Sequence, residues 1–198
     1  MNATSMTVAG AGPEWHPPDR GRVAMLSLIA AEAAIFTIFV VAYVFYLGKS
    51  LTGPMAKDVL SVPIVYTICL LSSSLTIHFA AKSLRRGGVL TFGVLWLATI
   101  TLGAAFLYGT GTEWYRLIYK ERFTISTNLF GTTYYSLVGL HAFHVIVGLL
   151  TLTIVMVFTM TGSVGSEHAE RIDILSLYWH FVDVVWIVVF TVVYVIGR

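Results

Sequence analysis

Phe130 to Met160 reads FGTTYYSLVGLHAFHVIVGLLTLTIVMVFTM, a stretch without a single Lys, Arg, Asp or Glu. A helix rises about 1.5 Å per residue and a hydrocarbon core is about 30 Å thick, so roughly 20 residues cross it. A lone strand would leave its backbone groups unpaired in lipid, so helix is the one state open to such a run. Four more stretches have the same character: Arg22 to Leu47, Leu60 to Ser83, Val89 to Gly109, and Ile174 to Ile196. The expectation is an all-α polytopic membrane protein. A single bundle of five transmembrane helices occupies residues 22–198, with a polar tail over residues 1–21.

The segments between the spans fit that division. Gly48, Gly53 and Pro54 break the chain after the first span, and Arg85, Arg86, Gly87 and Gly88 make a basic turn after the second. Thr110 to Asn128 carries Glu113, Arg116, Lys120, Glu121 and Arg122 and reads as a solvated loop. Thr161 to Asp173, with Glu167, Glu170 and Arg171, reads the same way. Composition agrees: 57% of residues are hydrophobic and 11% charged, where a soluble domain carries about 25% charge. A net charge of +2 argues against a nucleic-acid partner. Cys69 is the single cysteine and lies in an apolar run, which excludes a disulfide framework and makes it a small hydrophobe.

The tail holds Pro13, Glu14, Pro17, Pro18, Asp19 and Arg20 and no apolar core, so it does not read as a secretory signal. The first span is then both insertion signal and permanent helix. Counting basic residues on the two sides of the membrane gives a six-to-six tie. The close spacing of Lys82, Arg85 and Arg86 tips the balance toward an N-terminus inside.

Ionisable groups inside the membrane need a reason, since an Asp at a helix centre costs about 2.5–3.5 kcal/mol on insertion scales. Glu32, Asp183, His78, His141, His144 and His180 all lie within spans. His141 and His144 are three apart on one helix face, with Gly148 offering a close-approach point one turn on. His180 and Asp183 are also three apart, flanked by Trp179 and Trp186. Counted along the helices, Glu32 lies about 15 Å and Asp183 about 14 Å from the same face. Glu32, His141, His144, His180 and Asp183 are therefore expected to meet in one buried polar layer joining spans one, four and five.

Two readings of that layer stand side by side. Three histidines and two carboxylates form a ligand set that suits iron or zinc. The same groups also satisfy one another as a hydrogen-bonded network that locks helix register. No span carries the Glu-x-x-His spacing of di-iron bundles. His78, beside the bulky Phe79, reads as a packing or interfacial residue rather than a haem ligand. Glu32 reads either as a protonated acid bonded to a neighbouring helix or as a proton-handling carboxylate.

Longer motifs add a resemblance. Tyr178-Trp179-His180-Phe181-Val182-Asp183-Val184-Val185-Trp186 is similar to the last helix of haem–copper oxidase subunit III. Phe130-Gly131-Thr132-Thr133-Tyr134-Tyr135, followed by Gly139-Leu140-His141-Ala142-Phe143-His144-Val145-Ile146-Val147-Gly148, resembles the preceding helix of that family. Phe123-Thr124-Ile125-Ser126 resembles the loop before it, and Ala31-Glu32 sits where the family has an intramembrane glutamate. The Thr101-Leu102-Gly103 stretch leading to Glu113-Trp114-Tyr115 also fits. The resemblance spans about Arg22 to Gly197 and matches the short five-helix bacterial form; longer members have seven helices and a lipid-filled cleft.

What the resemblance implies is an accessory subunit of a proton-pumping cytochrome c oxidase in aerobic respiration. No catalytic, cofactor-binding or metal residue is expected in this chain; haem and copper belong to partner subunits. The implied partners are subunit I directly, then subunit II, other respiratory subunits and membrane lipids, with phospholipid as a ligand. The implied location is the bacterial cytoplasmic membrane, N-terminus cytoplasmic and C-terminus on the outer side. Two alternatives stay open: a quinol oxidase or nitric oxide reductase relative, and a small proton or solute carrier. Against the carrier, the spans lack inverted repeats and broken helices.

Overall fold

In the computed structural model, residues 19–50, 53 and 59–197 are described. Most of the expected polar tail, together with Lys57 and Arg198 of the charge count, lies outside the described residues. Five helices are long and apolar enough to cross a membrane.

Helix α1 spans Arg20–Tyr46. Its N-cap is Asp19, whose carboxylate accepts from the Arg22 amide at 3.1 Å, pairing one of the amides that a helix start leaves free. Helix α2 spans Ile64–Arg85. The expected start at Leu60 moves in to Ile64 because Pro63 disfavours helical geometry in the residue before it. Val59 and Leu60 instead fold inward and are buried. Lys82 and Arg85 sit in the last turn, where the helix dipole favours cations. Gly87 then takes φ +80° and reverses the chain, a conformation that a side chain would strain.

Helix α3 spans Val89–Tyr115 and runs on into a π-helical turn, Arg116–Lys120. The expected loop over Thr110 to Asn128 is thus helical as far as Lys120, and only residues 121–128 lie outside helix. Of the charges that suggested solvent, Glu113 and Arg116 pair with each other, while Lys120, Glu121 and Arg122 are exposed. Helix α4 spans Leu129–Met160, its first turn capped by Asn128 Oδ1 accepting from the Gly131 amide at 2.8 Å. Helix α5 spans Ala169–Phe190, after a 3₁₀ turn at Ser166–His168 and before a π-helical turn at Thr191–Ile196. It begins five residues before the expected Ile174, absorbing part of the segment read as a loop.

Helix α2 pairs with α3 across the Gly87 turn, α4 packs on α3 and α1, and α5 packs on α1, α2 and α4. Trp179 of α5 is the pin of this arrangement. A Cβ on Gly148 of α4 would come within 2.8 Å of its ring, and a Cβ on Gly103 of α3 within 2.9 Å. Two glycines on different helices thus form the notch that holds one tryptophan, which is how small residues bring membrane helices together. Outside the core, large apolar side chains such as Ile38, Val65, Leu90 and Leu150 face outward, as expected where lipid or another subunit is the solvent.

Candidate functional site

The intramembrane polar residues form two clusters instead of one layer. In the first, His144 of α4 meets Glu32 of α1, Nε2 to Oε2, at 2.9 Å. His144 Nδ1 lies 2.7 Å from the Leu140 carbonyl oxygen. A carbonyl only accepts, so Nδ1 carries a hydrogen there. One further proton then lies between Nε2 and Oε2, and the pair holds it as imidazolium with carboxylate or as imidazole with carboxylic acid. The His144 side chain is 6% exposed and that of Glu32 24%, so the carboxyl end faces the outer edge of the bundle.

The second cluster joins α5 to α2. Ser74 donates its hydroxyl hydrogen to Asp183 Oδ2, and its oxygen lies 3.0 Å from His180 Nδ1. A serine has one hydrogen to give, so with that hydrogen on Asp183 the oxygen accepts from Nδ1–H. Asp183 is 2% exposed, and its Oδ1 is buried without a hydrogen-bond partner. Ser74 is a site residue that the sequence reading missed.

His141 belongs to neither cluster. It is 1% exposed, both ring nitrogens lack hydrogen-bond partners, and the ring stacks on Trp186 at 4.9 Å with Phe106 edge-on at 5.7 Å. Phe36 of α1 lies 4.9 Å from His144 and 6.4 Å from Phe181 of α5. Aromatic rings thus occupy the space that a continuous polar layer would need. His78 is exposed, with its ring edge-on to Phe79 at 5.7 Å. Among the described residues, no group of three or more His, Cys, Asp or Glu comes together to hold a metal ion.

The α2–α5 contact is polar along its length. Arg85 Nε donates to Asp173 at 2.9 Å, Trp179 Nε1 to Ser73 Oγ at 2.8 Å, and Trp186 Nε1 to Thr67 Oγ1 at 3.2 Å. With the Ser74 bonds these four levels fix the register of α5 on α2. The run Ser72-Ser73-Ser74, unremarked in the sequence reading, is the signal that was available.

A third polar group was hidden by reading its segment as a loop. Glu113, whose side chain is 9% exposed, lies 3.7 Å from Arg116 Nη2. It accepts from Ser61 at 3.3 Å and from Tyr194 at 3.4 Å. Arg116 also donates to the Val59 carbonyl at 2.9 Å. This group ties the α2 approach, the end of α3 and the last turn of the chain together.

Known proteins supply the context for this arrangement. The sequence profile of the family described as cytochrome c oxidase subunit III matches residues 22–198. The cytochrome c oxidase subunit 3 of Alkalihalophilus pseudofirmus is 32% identical over 171 residues, 85% of this chain and 83% of that protein. That of Corynebacterium diphtheriae is 39% identical over 141 residues, covering 69% and 67%. The cytochrome bo(3) ubiquinol oxidase subunit 3 of Pseudomonas aeruginosa is 36% identical over 172 residues, covering 85% and 81%. Five apolar helices and these relatives make the chain a multi-pass bacterial membrane protein and a member of a respiratory oxidase complex. The chain belongs to the cytochrome c oxidase subunit III family.

Proposed function

We propose that this chain is the accessory subunit III of a proton-pumping oxidase fed by cytochrome c, packed directly against subunit I. It carries no redox centre of its own, and its N-terminus faces the cytoplasm. The observation that carries the reading is the match of residues 22–198 to one family, with the intramembrane carboxylate of α1 seated on a histidine of α4. The tie in basic residues is broken by that family's orientation and by the cluster of Lys82, Arg85 and Arg86 at the α2–α3 turn.

In this reading the chain acts by packing and by protons. The Ser74–His180–Asp183 cluster fixes α5 on α2, so its first role is to hold the bundle. The Glu32–His144 pair holds a single proton near the bundle's outer edge, which suits a group that exchanges protons with its surroundings. Apolar outer faces at α1 and α4 offer surface to subunit I and to phospholipid chains.

A second reading rests on the Pseudomonas aeruginosa relative, a ubiquinol oxidase subunit 3. Electron entry is decided outside this chain, so the test is made on the assembled complex. Oxygen consumption by the purified oxidase is measured with reduced cytochrome c and with a ubiquinol. Turnover on reduced cytochrome c is the expected result. Turnover on ubiquinol alone would move the chain to the quinol branch.

A further inference from the structure

A cavity of about 730 Å³ opens between α1, α2 and α5 at the membrane face that carries the α2–α3 turn. Arg22, Lys82, Arg85, Glu170 and Asp173 line its outer part, at the helix ends, and His78 and His180 line it further in. From Asp173 to His180 is seven residues, about 10 Å along the helix. A polar cavity of this size holds water, since each molecule needs about 30 Å³ and two to four polar partners. Its inner wall is the ring of His180, whose Nδ1 is engaged by Ser74, leaving Nε2 for the cavity side. Behind it lies Asp183, 2% exposed and bonded to Ser74.

We propose that this cavity and the His180–Ser74–Asp183 chain form a blind proton path, through which the buried Asp183 carboxyl exchanges protons with one face of the membrane only. The step balances without a co-reactant. His180 Nε2 takes a proton from water in the cavity, Nδ1–H passes its proton to Ser74 Oγ, and the Ser74 hydrogen passes to Asp183 Oδ2. One proton has moved inward, the carboxylate has become a carboxylic acid, and the imidazole is neutral again with its hydrogen on Nε2. Reverse passage restores the start. The charged and titratable groups lining the cavity with His180 are Arg22 on α1, His78, Lys82 and Arg85 on α2, and Glu170 and Asp173 on α5. Asp173 is already paired with Arg85; of the other ionisable groups on helices packed against α5, Glu32 of α1 is paired with His144, and His141 of α4 stacks on Trp186. His78 is the remaining ionisable group that shares the inner cavity with His180. The path deepens the reading of a proton-handling subunit. Its readout is this chain's own carboxyl, so its failure would leave the family-based function standing.

The test is infrared spectroscopy of the intact oxidase at a pH that protonates Asp183. Its carboxyl band is assigned by its loss in Asp183→Asn. On transfer to D2O the wild-type band shifts promptly. In Ser74→Ala and His180→Phe, compared at equal haem content, the shift is slower by on the order of 100-fold, as expected when a positioned proton carrier is removed. Ser74→Thr, which keeps a hydroxyl, restores it. A control independent of folding uses Leu177→Cys at the cavity wall in a Cys69→Ser background. Reaction with a charged thiol reagent plugs the cavity in protein already assembled, and exchange slows in the same sample. Unchanged exchange after plugging, or in both Ser74→Ala and His180→Phe, would overturn the proposal. So would a wild-type band that does not exchange.

Discussion

Glu32 and His144 sit 2.9 Å apart, and that contact limits what each can do. Replacing Glu32 by Gln leaves an amide that still donates to Nε2, so the α1–α4 contact is kept while the acid is lost. Initial oxygen consumption of a Glu32→Gln complex is expected to stay near wild type at neutral pH, with fewer turnovers completed before activity decays. An immediate collapse of the initial rate, with haem content intact, would make Glu32 an obligatory conductor. Asp183 is a different case. Asp183→Ala removes the acceptor of the part-buried Ser74 hydroxyl, a loss of about 1–3 kcal/mol. Asp183→Asn keeps an acceptor for the Ser74 hydroxyl and is expected to be milder. Thermal melting of the assembled complex measures both; equal melting temperatures for both variants and wild type would remove the structural role. At this scale the sequence showed which residues were out of place in a membrane and not whom they met. Helical spacing pairs residues on one helix, whereas Ser74, the shared partner of His180 and Asp183, comes from another helix.

The five spans were legible because a run of uncharged apolar residues long enough to cross lipid has few other fates. The end of α3 was not legible, for a definite reason. Glu113, Arg116 and Lys120 look solvated when counted, but Glu113 and Arg116 are one helical turn apart and meet Ser61, Val59 and Tyr194 across the bundle. Charge read along a chain overstates exposure wherever tertiary partners neutralise it. The position of Gly148 as a close-approach point was readable, whereas its partner Trp179 was not. Gly148→Ala places a methyl carbon 2.8 Å from a ring already held by Gly103 and by the bond to Ser73. Because the ring has no free direction to yield, overpacking of about 1–3 kcal/mol is expected. The amount of assembled complex extracted from membranes reports it, and a wild-type yield and melting temperature would show the notch to be loose.

For the whole molecule, the pattern of motifs carried more than any single residue. The two long motifs pointed to one family, whereas the polar groups, with no Glu-x-x-His spacing in any span, favoured a hydrogen-bonded network over a metal without showing which groups meet. Geometry separates them: His141 stands among aromatic rings, His144 is bonded to Leu140 and Glu32, and His180 to Ser74. The three histidines meet three different environments, so their shared depth in the membrane overstated their closeness as ligands. The central claim is that this chain belongs to an oxidase whose redox groups lie in its partners. The most direct measurement is the visible spectrum and metal content of material isolated through an affinity tag on this chain, before and after the subunits are separated in detergent. Haem absorption and copper are expected in the intact complex, all of it leaving with the partner subunits. Haem or stoichiometric metal that stays with this chain, and is lost in His141→Ala, would contradict it.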